Sequence, residues 1–221
     1  MANRSYLYNV DFNRLDRLKT PDDSVLSVSE YAYEIPLSYK ILLSVNTLNN
    51  KSILWDYEHP ISISGDAKKG IDSLLKFLDK LQNLNLFEDD YIKSEIEKTK
   101  LFFSKNEFEL KYFFLEGGEL YEMSDEPFEK QNLEIFTEVN QIEETIENFI
   151  KKVESINDEI IKMESQKNKM TKKTWFKKSK PVLSNEEKLK IERLINHKRA
   201  EKRALLGIDN WSNILYYQFD K

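Results

Sequence analysis

The spacing of apolar and polar positions changes period several times along the chain, and each change marks an element. In RSYLYNVDF, residues 4–12, Tyr6, Tyr8 and Val10 alternate with Ser5, Leu7 and Asn9, a two-residue period rich in aromatic side chains that predicts a strand. DRLKTPDDS, 16–24, reads as a loop. SEYAYEIPLSYKILLSVN suits two readings: Pro36 fits the first turn of a helix over about 36–45, while the apolar content also fits a buried strand, and the helix is preferred. KSILWDYEHPISIS predicts one or two short extended segments interrupted by Pro60. After Gly65-Asp66, the residues Ile71, Leu74, Leu75, Leu78 and Leu81 recur at helical spacing. FEDDYIKSEIEKTKLFFSK predicts another helix, with Glu88, Asp89 and Asp90 in a first turn whose dipole favours negative charge. FELKYFFL, EGG and ELYEM predict a hairpin, with Gly117-Gly118 supplying positive φ at its turn.

From Asn132 onward the period is helical. Val139, Ile142, Ile146, Phe149, Val153, Ile156, Ile160 and Met163 are separated alternately by three and four residues. This predicts one helix of roughly 38 residues, about 57 Å long, with a seam narrow enough for coiled-coil packing. Such a seam needs a partner. Ser184 with Glu187 has the spacing of a capping box and starts EEKLKIERLINHKRAEKRALL, a second amphipathic helix ended by Gly207. The two helices are expected to fold back antiparallel as a hairpin. Ile214-Leu215-Tyr216-Tyr217 reads as a strand returning to the sheet near the N-terminal strand. The fold class expected is therefore α+β: a small, mainly antiparallel sheet packed by helices, with a long antiparallel helical hairpin in the C-terminal half. Residues 1–131 with 207–221 form the body, and 132–206 the hairpin.

Composition bounds the chemistry. A 40% hydrophobic fraction in 221 residues supplies a core, and 13 Phe with 11 Tyr argue against disorder. The absence of cysteine excludes disulfides, thiolate metal sites and cysteine nucleophiles. The opening MANRSYLYNVDFNRLDR has no apolar run of secretory length, and no stretch approaches the ~18 apolar residues of a membrane span, so a cytoplasmic protein without membrane contact is expected. Charge is segregated. Residues 1–160 carry 18 Lys and Arg against 32 Asp and Glu, net −14, whereas 161–203 carry 15 against 5, net +10. That asymmetry speaks to partners more than to fold.

MANRSYLY at 1–8, SEYAYEIPLSYKILLS at 29–44, SILWD at 52–56, ISGDAKKGIDSLLKFL at 63–78 and WSNILYYQF at 211–219 together resemble a family of uncharacterised bacterial proteins that open with MANRSYLY or close variants. The similarity spans roughly the first 85 and last 15 residues. It transfers no activity and no residue role; its association is with toxin neutralisation.

Three function classes remain. The first is a protein-binding protein without catalytic activity, of the immunity type, that occludes a partner such as a basic toxin encoded nearby; Asp22, Asp23, Glu88, Asp89 and Asp90 are its candidate contact residues. The second is a nucleic-acid-binding protein using KMTKKTWFKKSKP, 169–181: Lys172, Lys173, Lys177, Lys178 and Lys180 would meet phosphates while Trp175 and Phe176 stack on bases. The −14 body opposes a polyanion, and Trp175-Phe176 equally suit the role of an apolar cap on the hairpin tip. The third is a Mg²⁺-dependent nuclease built on Asp89 or Asp90 with Glu109-Leu110-Lys111, although the same tripeptide suits an alternating strand and Glu186-Glu187-Lys188 repeats it by composition alone. The two histidines, His59 and His197, lie in no Ser-His-acid pattern, and Gly65-Asp66-Ala67-Lys68-Lys69-Gly70 lacks the Gly-Lys-Ser/Thr ending of a phosphate loop. The leading expectation is the protein-binding one, with no catalytic residue, cofactor or metal.

Overall fold

The computed structural model describes residues 3–12, 24–105, 110–169, 184–217 and 219. Among them five strands, β1 (Arg4–Val10), β2 (Val25–Ala32), β3 (Leu48–Asn50), β4 (Ser62–Asp66) and β5 (Tyr112–Glu116), form one sheet in the order β2-β1-β5-β4-β3. Every neighbouring pair is antiparallel. The described residues also form seven α-helices: α1 (Leu37–Leu43), α2 (Ala67–Leu81), α3 (Asp89–Lys105), α4 (Gly118–Tyr121), α5 (Phe128–Asn140), α6 (Ile142–Lys169) and α7 (Asn185–Leu206). The fold class is α+β, as the periodicity predicts. No helix among the described residues is long and apolar enough to cross a membrane.

The sheet is buried on both faces, by different means. Leu7, Phe113, Leu115 and Ile63 turn to one side, into the main core with α1, α2, α3 and the inner parts of α6 and α7. Tyr6, Tyr8, Val10 and Phe114 turn to the other side, where Ile53 of the β3–β4 connection and Leu215 of the C-terminal segment cover them. Local chemistry fixes the helix ends. The Asp66 carboxylate accepts from the Lys69 backbone N–H at 3.0 Å to start α2, and Ser184 and Glu187 form the expected capping box of α7. Gly207 ends α7 at φ +62°, and its carbonyl accepts from Ser38 Oγ at 2.6 Å, which ties the hairpin base to α1. Gly65 and Gly70, which frame the GDAKKG stretch, are packing glycines: a Cβ on either would collide with the Leu43 or Leu42 carbonyl oxygen.

Several expectations change. The hairpin over 108–123 does not form, because β5 already has β1 on one edge and β4 on the other and offers no slot for a returning strand. Neither Gly117 nor Gly118 takes positive φ. Residues 118–121 instead make one helical turn, whose Glu119 carboxylate accepts from the Arg4 backbone N–H at 2.9 Å and from Tyr6 Oη at 3.0 Å. The segment 214–217 is not a strand. Ser212 Oγ binds both the N–H and the carbonyl of Ile214, a local bond that competes with ladder pairing, and strand-type pairing with the sheet narrows to a single Ser29–Trp211 bridge. β2 occupies that edge position, a strand that the periodicity leaves unassigned.

The single helix from 132 is in fact two, interrupted at Gln141. α6 and α7 pair antiparallel, as expected, through Ile156 and Ile160 against Ile195, with Lys198–Glu159 at 3.1 Å and Arg199–Glu164 at 3.2 Å alongside. The inner half of the predicted seam serves a different surface, for Val139, Phe149 and Val153 belong to the main core, where Phe149 meets Phe77 and Phe87 at ring separations of 6.3 and 6.4 Å. Lys202 locks the hairpin to the body. Only 4% exposed, it donates to the Leu86 carbonyl and to Asn157 Oδ1, both at 3.0 Å. Lys202→Ala is expected to cost about 2 kcal/mol, since it takes a buried donor from the Leu86 carbonyl, which keeps only Asn157 Nδ2 at 2.9 Å, leaves Asn157 Oδ1 without it and removes one cation from Glu88; urea unfolding monitored by circular dichroism measures it.

Candidate functional site

The interruption at Gln141 bends the chain around a concave surface. Gln141 adopts φ −102°, ψ 42°, and the local side chains replace what the helix loses: Thr145 Oγ1 donates to the Glu138 carbonyl at 2.8 Å and Asn140 Nδ2 to the Phe136 carbonyl at 2.8 Å. α5 and α6 form an elbow. Against its inner side stand the β2–α1 connection with Tyr33, Glu34 and Ile35, then α1, and the end of α4, enclosing a groove of about 660 Å³.

Its floor is apolar, made of Ile35, Leu37, Leu120, Ile135 and Phe149. Its walls are acidic: Glu34, Glu126, Glu134, Glu138 and Glu144 face Lys40 and Lys152. Helical geometry places them, since Glu134 and Glu138 stand four apart on α5, with Gln141 at its end, and Glu144, Asn148 and Lys152 stand four apart on α6. Two of the carboxylates are engaged within the molecule, Glu138 by Lys40 Nζ at 2.5 Å and Glu126 by Lys130 Nζ at 2.8 Å. Glu34 is not. Burial pushes its carboxyl above the ordinary value, which Lys152 and Lys40 partly offset, and no side chain among the described residues comes within bonding distance of that carboxylate. Tyr33 stands at the groove with φ +65° and 59% exposure, a left-handed conformation uncommon for a residue with a side chain.

The residues singled out in the sequence lie elsewhere. Asp22, Asp23, Glu109 and the segment with Lys172, Lys173, Trp175, Phe176, Lys177, Lys178 and Lys180 are outside the described residues. Glu88 is engaged inside the molecule, where Arg199 Nε at 3.1 Å, Arg203 Nη2 at 3.3 Å and Lys202 Nζ at 3.5 Å converge on it. Burial pushes its carboxyl up, and a hydrogen bond from its own backbone with the Lys202 and Arg203 charges reverses this, leaving it below the ordinary range. Asp89 and Asp90 are exposed in the first turn of α3, with Asp89 beside Lys93 at 3.5 Å. Among the described residues no three acidic or histidine side chains group as a metal site.

A second polar site lies under the sheet's other face. Glu116, fully buried on β5, accepts from Ser52 Oγ at 2.8 Å, Ser62 Oγ at 2.7 Å and the Ile53 backbone N–H at 2.6 Å. Burial pushes its carboxyl up and these donors hold it down, leaving it at about 7. The Ser52–Trp55 turn closes over it, so this carboxylate organises structure and has no open side for a substrate.

Comparison with curated proteins and with solved structures gave no match. The family described as Domain of unknown function (DUF7822) matches residues 14–156. The match passes through the middle of the chain, beyond the stretch near residue 85 where the resemblance read from the sequence stops, and includes every groove residue except Leu205. It ends before the outer half of the hairpin and before the lysine-rich segment. The chain belongs to the DUF7822 domain family.

Proposed function

We propose that this chain is a protein-binding protein that acts by occlusion, as a bacterial immunity-type protein neutralising a toxin, and that the elbow groove is its contact surface. The observation that carries the reading is the combination in one concavity of an apolar floor with five carboxylates against two lysines. An apolar floor supplies the affinity of a desolvated contact, and an acidic rim selects and steers a basic partner. A toxin that acts on nucleic acid is basic at its own active site, so covering that surface needs no catalytic group on the neutralising side. The groove is favoured over the lysine-rich segment because the family match includes the groove and excludes 169–181. It also suits the −14 charge of residues 1–160, which repels a polyanion.

Co-expression with the products of adjacent genes, followed by pull-down, tests the reading. A stoichiometric complex is expected, and Glu134→Lys with Glu144→Lys, which reverse charge on two exposed groove positions without touching the core, should weaken it at least about tenfold. No complex with any neighbour sinks the proposal.

A further inference from the structure

We infer that the groove receives a cationic polypeptide segment bearing a large apolar side chain, and that Glu34 is the carboxylate that meets its positive charge. This rests on the protein-binding reading and supplies what it leaves open, the chemistry of the segment recognised.

The groove carboxylates differ in whether they are already satisfied. Glu138 and Glu126 each have a lysine within 2.8 Å. Glu34 is held in the short connection between β2 and α1, half-buried, with no ion pair among the described residues; Lys40, the nearer-placed cation by sequence, is committed to Glu138. A half-buried carboxylate with no direct ion pair, its burial only partly offset by the Lys152 and Lys40 charges, has given up more than it has recovered, so an arriving ammonium or guanidinium gains more there than at a solvated glutamate. Glu134 and Glu144, exposed on the two arms of the elbow, extend the same field along the groove. Beneath them Ile35, Ile135 and Phe149 form an apolar surface that a lysine or arginine head cannot use and an aromatic or aliphatic side chain can. The exposed Tyr33 ring adds a face on which a cation can rest. Acidic peptides and nucleic acids are opposed by the three carboxylates without a direct ion pair, Glu34, Glu134 and Glu144, and a basic, partly apolar polypeptide is the class that fits.

The test uses the full chain and a fluorescein-labelled peptide of sequence KMTKKTWFKKSKP as a basic, aromatic probe, with fluorescence anisotropy at about 50 mM salt to limit screening. Saturable one-to-one binding is expected. Glu34→Gln with Glu144→Gln should weaken it at least about tenfold, whereas Glu143→Gln with Glu154→Gln, which remove the same charge from α6 outside the groove, should change it less than about twofold. Replacing the peptide's tryptophan and phenylalanine by serine should also weaken binding at least about tenfold. Equal weakening by the two protein pairs, or no saturable binding, overturns the inference. A neighbour-encoded complex that forms and keeps full strength in Glu34→Gln with Glu144→Gln overturns it too, while leaving the protein-binding reading intact. Peptide captured in the groove with no complex for any neighbour leaves the inference standing and removes the immunity-type reading alone.

Discussion

Replacing Glu116 by alanine is expected to destabilise the fold by about 4 kcal/mol, a large share of the stability of a marginally stable protein. The carboxylate sits in register between Tyr6 of β1 and Ser62 of β4, at the middle of the sheet, and is the common acceptor for Ser52, Ser62 and the Ile53 backbone. Ser52 Oγ already accepts from the Leu54 and Trp55 backbone N–H groups, so its own hydrogen has to go to Glu116. Removing the acceptor orphans several buried donors at once, each at a cost of about 1 to 3 kcal/mol, with partial relief from rotating hydroxyls and entering water. The Ser52–Trp55 turn would then lose its anchor over the aromatic face of the sheet. The pH dependence has a definite sign. Because the folded carboxyl is pushed up to about 7, above its ordinary 4.5, the folded state holds a proton between those values that the unfolded chain has lost. Stability is therefore fully present below about pH 4.5 and falls as pH rises to about 7, by something on the order of 3 kcal/mol from this group. Glu116→Gln keeps the size and one acceptor, and should remove that slope between pH 5 and 8 in urea titrations. A slope unchanged in the glutamine variant would assign it to other groups.

What the sequence makes legible here is whatever is encoded within a few residues. α2, α3 and α7 follow from their apolar spacing and their caps, and Ser184, Glu187 and Gly207 perform the roles their spacing implies. The elbow is not legible from the apolar stripe, because Val139, Ile142 and Ile146 keep their three-and-four spacing straight through Gln141. The available signal is polar: Thr137, Asn140 and Thr145 each bind a backbone carbonyl four or more residues earlier, and such side chains compete with a continuous helix. The groove is less legible still. Its walls come from 33–40, 120–126, 131–138 and 141–152, and each glutamate taken alone reads as part of a solvated helix face. Acidic runs at 22–23 and 88–90 attract attention in the sequence because they are contiguous. Structure rewards a different property, convergence in space, and it draws Glu88 inward to hold Arg199, Lys202 and Arg203. The C-terminal ILYY has strand composition but no free edge of the N-terminal strand to join, since β1 lies between β2 and β5.

Gly70→Ala should lower stability by about 3 kcal/mol or more, against the gain of about 1 kcal/mol that glycine-to-alanine brings inside an ordinary helix. Gly70 lies in the first turns of α2, directly over α1. An added Cβ there would strike the Leu42 carbonyl oxygen and come within 2.9 Å of its carbon and 3.1 Å of its Cα, all backbone atoms without a rotamer to yield. α1 has nowhere to retreat, as Tyr39, Ile41, Leu42 and Leu43 are buried and the helix is packed by α2, α5, α6, α7, β4 and β5. Displacing it would shift Lys40 and Glu138, and with them the groove wall, so the same variant should weaken any groove ligand in parallel with its loss of stability. Lys69→Ala, one residue earlier on the exposed side of α2, is the control and should stay within about 0.5 kcal/mol of the parent. Chemical denaturation of the two variants side by side separates the readings: if Gly70→Ala matches or exceeds the parent in stability, α1 and α2 do not approach at this distance, and the position of the groove's inner wall goes with them.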